Sequence, residues 1–266
     1  MTQSPNLDAL DTFLVELNRA SGEVILPLFR VDNGLEDKGG AAGFDPVTAA
    51  DRGAEAAIRT LIEKHWPDHG VIGEEYGEDR PDAEFVWVLD PIDGTRAFIA
   101  GLPLWTTLIG LRHQGRPVLG SIGQPFIGEI FIGQASGSRL LNKGTSWPLV
   151  TRKGVPLDVA IVVTTDPLAT FNEAELAAWG RVRAAARLVR FGCDAYAYAM
   201  VAAGTVDMVI EAGLKSWDIE AAIPVLQGAG GLVTDWRGHP MGQSGGAAVL
   251  VGDPKLLDEV LPLLSA

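Results

Sequence analysis

Cysteine is nearly absent. Cys193 is the single one among 266 residues, so no disulfide closes within the chain and nothing requires an oxidising compartment. Basic residues are scarce. Lysine and arginine number 21 against 34 aspartates and glutamates, a formal net charge of −13. A chain this negative repels a phosphate backbone, which excludes duplex nucleic acid as a partner unless one face is locally basic. No apolar run reaches the ~18 residues of a membrane-spanning helix, so no membrane partner is expected. The stretch from Met1 to Asp8 has neither a basic segment nor an apolar one, so no secretory signal is expected and a cytoplasmic setting is. Low hydrophobicity is lacking too: 47% of residues are hydrophobic and 21% charged, a composition that folds around a core. The length suits one domain or two closely packed ones. What is abundant is carboxylate, and part of that surplus suits bound divalent cations.

Apolar residues between Asn6 and Arg30 recur at helical spacing, which predicts one amphipathic helix bent near Gly22 or Pro27. Lys38 to Gly43 is Gly-rich and reads as a mobile loop. A second helix is expected from Thr48 to Trp66. Between residues 70 and 140 the period changes to two, with strands at Val71-Ile72, Phe85–Leu89, Trp105–Leu111, Val118–Ile122 and Glu129–Ile132. Short turns between them imply an antiparallel sheet. Beyond about residue 150, strands alternate with helices, including one helix from Ile219 to Gly228, which favours a mostly parallel or mixed sheet with helices on its faces. The expected division is an N-terminal α+β half, 1–145, and a C-terminal α/β half, 146–266, with the boundary near 140–155.

The acidic residues are clustered. In Trp87-Val88-Leu89-Asp90-Pro91-Ile92-Asp93-Gly94-Thr95-Arg96 an apolar strand delivers Asp90 to what reads as its end. Pro91 disfavours helical geometry at Asp90 and implies a turn that brings Asp93 back beside it. Thr95 stands where a helix N-cap belongs. Two carboxylates at one bend are oxygen ligands for hard cations, and a helix N-terminus offers N–H groups to a phosphate. Asp-Pro-x-Asp-Gly is equally a turn composition in which the aspartates bond only nearby backbone. Two further acidic groups bear on that choice. Gly73-Glu74-Glu75 follows an apolar pair, and on a strand only one of the glutamates can join a metal site. Ser216-Trp217-Asp218 opens a helix, with Ser216 or Asp218 as a capping residue.

Taken in order, Asp45-Pro46-Val47-Thr48-Ala49-Ala50-Asp51, Gly73-Glu74-Glu75, Asp90-Pro91-Ile92-Asp93-Gly94-Thr95 and Trp217-Asp218 with Leu226-Gln227-Gly228-Ala229-Gly230-Gly231 resemble the inositol monophosphatase superfamily. The resemblance spans nearly the whole chain. Gly192-Cys193-Asp194-Ala195-Tyr196-Ala197-Tyr198 and Val206 to Lys215 are most similar to its histidinol-phosphate phosphatase branch. The resemblance implies a layered α/β/α/β/α sandwich, usually a homodimer, that requires two or three Mg²⁺ per site. It implies that Glu74, Asp90 and the Ile92 carbonyl hold one metal, and that Asp90, Asp93 and Asp218 hold another. Thr95, oriented by Asp45, would position the attacking water together with Glu74, and Gly94 and Thr95 would bind phosphate. Asp93, Asp194 and Glu211 would meet the substrate.

Phosphate monoesters hydrolyse very slowly unaided, and paired cations neutralise charge on both attacking and leaving oxygens, so no protein nucleophile is needed. Cys193 is therefore read as packing. Asp194 and Glu211 beside the leaving group favour a cation over a neutral polyol. That points to L-histidinol phosphate, hydrolysed to L-histidinol in histidine biosynthesis. An inositol-1-phosphate or broad sugar-phosphate phosphatase is the alternative within this chemistry, and a non-catalytic phosphate-binding scaffold is the alternative outside it. Asp194 also reads as a helix N-cap, and Glu211 as a hydrogen-bonded strand-end carboxylate. His65, His69, His113 and His239 match no motif and read as surface or turn residues.

Overall fold

A computed structural model describes residues 7–31, 36–37, 46–241 and 243–265. The Gly-rich loop 38–43 and Asp45 lie outside the described residues. Helix α1 (Asp8–Ile25) buries Leu10, Phe13, Leu14 and Leu17, the i, i+3, i+4, i+7 stripe of an amphipathic helix. Pro27 lacks an N–H, and the chain tightens there into a 3₁₀ turn, Leu26–Leu28. Strands β1 (Glu36–Asp37) and β2 (Pro46–Val47) form a short antiparallel pair. Helix α2 (Ala49–His65) starts at Thr48, whose hydroxyl accepts the Ala50 N–H at 3.2 Å.

Eight strands build the first sheet. They are β3 (Gly70–Gly73), β4 (Gly77–Asp79), β5 (Phe85–Asp93), β6 (Thr106–His113), β7 (Arg116–Gln124), β8 (Glu129–Gln134), β9 (Gly137–Asn142) and β10 (Thr145–Pro148). The order is β10-β9-β8-β7-β6-β5-β3-β4, and every pair is antiparallel but β3 with β5. Strands β9 and β10 escape hydrophobic periodicity because they are polar and little buried; all of β10 is exposed. Helix α3 (Thr95–Ile99) leaves the end of β5.

The second sheet holds β11 (Ile161–Thr164), β12 (Leu188–Phe191), β13 (Met208–Leu214), β14 (Leu232–Asp235) and β15 (Gly246–Val251) in the order β12-β11-β13-β15-β14. The first three are parallel and the last two pairings antiparallel, so the sheet is mixed. Helices α4 (Pro167–Thr170), α5 (Glu173–Ala185), α6 (Tyr196–Ala202), α7 (Ser216–Ile219), α8 (Ala222–Gly228) and α9 (Pro254–Ser265) fill the intervals. The single helix expected from Ile219 to Gly228 is two, because Pro224 has no N–H to offer the Glu220 carbonyl.

Alternation on the strands sorts the side chains into layers. On β5, Trp87 and Leu89 pack with α1 and α2. On β13, Val209 faces α6 and α8 while Met208 and Ile210 face α5 and α9; Ala248 and Leu250 of β15 point inward, Val249 and Val251 outward. The layers run α1/α2, first sheet, α6/α7/α8, second sheet, α5/α9. The expected five-layer sandwich is the fold. A fourth cluster, Ile25, Phe29, Ala50, Ala54, Ile92, Phe98 and Trp105, packs beneath the β5–α3 junction. His69, expected as a surface or turn residue, closes the turn after α2, its N–H donating to the Trp66 carbonyl at 3.0 Å, but does not lie on the surface. It is buried, stacks between Trp66 and Phe85, and accepts the Trp87 Nε1–H at 3.1 Å. Among the described residues no helix is long and apolar enough to cross a membrane.

Candidate active site

The Asp90–Asp93 segment is not a turn after a strand; β5 continues through it with a bulge. Asp90 pairs with Leu108 and Asp93 with Thr106, so three steps on β5 oppose two on β6. In a regular strand, residues three apart face opposite sides, and one inserted residue restores them to the same side. The Pro91 carbonyl accepts the Thr107 hydroxyl at 2.8 Å, which pins the bulge. Gly94, not Thr95, is the N-cap of α3. It sits at φ 83°, and a Cβ there would stand 2.8 Å from Asp194 Cγ, so both conformation and space require glycine. Thr95 is the first helical residue, and its hydroxyl donates to the Ile92 carbonyl at 3.1 Å.

Strand β3 stops at Gly73, so Glu74 and Glu75 occupy a turn and the alternation argument does not reach them. A residue missed in the sequence shapes that turn. Buried Glu55 on α2 accepts the Glu75 N–H at 2.8 Å and the Tyr76 N–H at 3.2 Å, and is paired with Arg59 at 2.7 Å. A helix-face glutamate of ordinary spacing gives no signal of this. Asp51, buried one turn earlier, accepts the Thr48 N–H at 2.8 Å and is pushed up to about 6 chiefly by burial.

Asp218 arrives from the second half of the chain. It is the third residue of α7 and accepts the Lys215 N–H at 2.7 Å, so it serves the helix start from inside rather than as the N-cap, which is Lys215; Ser216 is the first helical residue. Asp194 is not an N-cap either. It holds φ 44° ahead of α6, whose cap is Ala195, and Asp93 accepts the Ala195 N–H at 2.6 Å. Glu211 is buried on β13 and accepts the Thr165 N–H at 2.9 Å and the Thr165 hydroxyl at 2.8 Å. One cavity of about 210 Å³ collects Glu74, Asp90, Ile92, Asp93, Gly94, Thr95, Asp194, Glu211 and Asp218, with Thr165 and Tyr198 also on its wall. Tyr198 belongs both to the buried core and to this wall.

Carboxylate oxygens of Asp90, Asp93 and Asp218 lie within 4.8 Å of one another. Burial, then the Glu74 and Asp93 charges, hold Asp90 well above the usual carboxylate range; burial, then Asp194 and Asp218, do the same to Asp93. Burial pushes Asp218 up to about 6 against the Lys215 N–H and charge. Asp194 also reaches about 6 by burial, opposed by Arg96. Glu211 is pushed up to about 8 by burial, against its bonds to Thr165. Among the described residues no ion pair relieves Asp90, Asp93 or Asp218, and Asp90 Oδ1 is buried without a hydrogen-bond partner. An all-oxygen, anionic donor set with an orphaned buried oxygen fits a hard divalent cation. Cys193 plays no part: its thiol is raised by burial and points to the Phe191 carbonyl at 3.7 Å.

Comparison with known proteins agrees with this geometry. The chain is 45% identical over 221 residues to the chloroplastic bifunctional phosphatase IMPL2 of Arabidopsis thaliana, an alignment covering 82% of this chain and 62% of that relative. This chain thus spans less than two thirds of that protein's length. It is 35% identical over 202 residues to a histidinol-phosphatase of Chlorobaculum parvum, covering 73% of this chain and 74% of the relative. In three dimensions it matches an inositol monophosphatase of Zymomonas mobilis with a TM-score of 0.86 and 34% identity, over 99% of this chain and 100% of the other. The family description "Inositol monophosphatase family" matches residues 6–264. With the aspartates of both halves meeting in one cavity and the family pattern running from end to end, the chain belongs to the inositol monophosphatase family of phosphatases.

Proposed function

We propose that the chain is a Mg²⁺-dependent phosphomonoesterase whose substrate is L-histidinol phosphate. The observation that carries the substrate is the pair Asp194 and Glu211, which share the cavity with the clustered aspartates. Glu211 raises its own cost of ionisation by being buried, and the Asp194 charge adds to it. An ammonium or imidazolium placed beside them lets both ionise; a polyol offers hydroxyls and leaves the repulsion standing. The histidinol-phosphatase relative supports this reading, and the inositol monophosphatase likeness keeps an inositol or general sugar phosphate as the alternative.

Asp90, Asp93 and Asp218, with Glu74 and the Ile92 carbonyl, are the groups that would hold the cations. Magnesium, when bound, supplies positive charge for the phosphate oxygens and acidifies water. The chain's own residues do the rest. The Thr95 hydroxyl donates its hydrogen bond to the Ile92 carbonyl, so the Thr95 oxygen is left to accept from the attacking water. Glu74, on the wall of the same cavity, would orient that water with it. The first turn of α3 leaves the Gly94 and Thr95 N–H groups to hold phosphate. Asp45, the expected partner of Thr95, lies outside the described residues.

The test is phosphate release from histidinol phosphate, inositol monophosphate, fructose bisphosphate and adenosine bisphosphate, with Mg²⁺ and with chelator. Histidinol phosphate should be hydrolysed fastest and only with metal. Asp194→Ala should lower kcat/KM for it by about tenfold or more, as loss of one buried charge partner does, and barely change inositol phosphate. Equal losses on both substrates reject the charge argument. Release from none of the four indicates a binding scaffold, and release in chelator rejects metal catalysis.

A further inference from the structure

Asp218 is the one member of the aspartate cluster carried by the second half, so the site is complete only when α7 is seated at a fixed place on the first sheet. Two features seat it. The first is a trench. Gly110 on β6 pairs with Gly120 on β7, which pairs with Gly133 on β8, and the segment from Glu220 to Val225 crosses this bare line. A Cβ on Gly120 would stand 2.2 Å from the Ala221 oxygen, one on Gly133 2.3 Å from Val225 Cα, and one on Gly110 3.2 Å from the Ala221 nitrogen. The trench sets how deep the segment lies. A floor without side chains does not index where along it the segment stops.

The second feature supplies that index. Arg112, two residues beyond Gly110 on β6, is buried, and its guanidinium forks onto Glu220: Nε donates to Oε2 at 2.5 Å and Nη2 donates to Oε1. A bidentate fork fixes rotation as well as distance. Glu220 is two residues from Asp218. Bridges this deep are often no more stabilising than a well-packed apolar pair, so their distinct contribution here is geometry.

We infer that the Arg112–Glu220 bridge is a positioning element that sets where Asp218 meets Asp90 and Asp93, and through it the affinity of the site for its divalent cation. This rests on the metal reading given above. Two variants of the full chain test it: Arg112→Met with Glu220→Met, which replaces the bridge by apolar groups of similar volume, and Arg112→Lys, which keeps the charge and loses the fork. Stability is read from urea unfolding in chelator, and Mg²⁺ affinity from calorimetric titration with MgCl₂. The double variant should keep roughly the parent stability and bind Mg²⁺ about tenfold or more weakly, the usual effect of losing an outer support of a metal site. Arg112→Lys should fall between. Parent affinity in a stably folded double variant overturns the inference. If that variant fails to fold, Arg112→Lys decides: parent affinity overturns the inference, and weaker binding at parent stability supports it. A parent chain that shows no Mg²⁺ binding rejects the metal reading itself, and this inference with it.

Discussion

Replacing Glu211 by glutamine should make the metal-free protein more stable, and more so as pH rises. Glu211 ionises at about 8 in the folded chain against an ordinary 4.5, because burial outweighs its bonds from Thr165. The unfolded chain therefore loses this proton first. Between those two values it binds fewer protons than the folded chain, so folding stability falls with rising pH. The contribution is whole below pH 4.5 and is lost progressively up to about pH 8. At ~1.4 kcal/mol per pH unit, a gap of roughly 3.5 units costs about 4 kcal/mol at pH 8 and under about 1 kcal/mol at pH 5. Glu211 is 3% exposed, so solvent does little to screen this. Glutamine cannot ionise, and its amide oxygen keeps the Thr165 bonds. The neighbouring acids are present in both proteins and largely cancel in the difference. Urea unfolding in chelator at pH 5 and pH 8 should show the Glu211→Gln advantage growing by about 3 kcal/mol. Parallel pH profiles for the two proteins refute the reasoning. They would mean that Glu211 ionises in the folded state much as it does in the unfolded one.

The other predictions concern the aspartates and the sheet beneath them. Asp93→Asn keeps an acceptor for the Ala195 N–H and removes one charge from the cluster; phosphate release with Mg²⁺ should fall to background while the melting temperature in chelator holds or rises by a few degrees. A fall in melting temperature instead would show that Asp93 serves the fold. Gly120→Ala must displace a backbone oxygen that cannot yield locally, and should lower unfolding free energy by about 1–3 kcal/mol in urea melts. A neutral result would show that the middle layer shifts freely.

Much of this molecule was readable in its chain, for reasons that differ by element. The apolar stripes of α1 and α2 and the period-two runs of β5 to β8 reflect burial against a neighbouring layer, and burial is what hydrophobic pattern records. Strands β9 and β10 are held by backbone pairing more than by buried side chains, and so left no pattern. Asp90, Asp93, Glu74 and Asp218 were identifiable because their motifs are compact and ordered. Their route to one cavity was not: the bulge that turns Asp93 to the side of Asp90 is a register shift, visible only against β6. Glu55, Thr165 and the Arg112–Glu220 bridge act across long stretches of chain, and single residues of common type announce no partner. The N-cap roles given to Thr95 and Asp194 missed by one position, whereas Asp218 does cap its helix, from inside the first turn, by accepting the Lys215 N–H.

The glycines of the trench carry a consequence for how this protein tolerates change. They hold no charge and are not among the residues that line the cavity. A methyl group added there would lift the segment behind Asp218, and Asp218 with it, without changing any acidic residue. Activity should then fade while the fold survives, so inherited loss of catalysis can start from the plainest residues in the sheet.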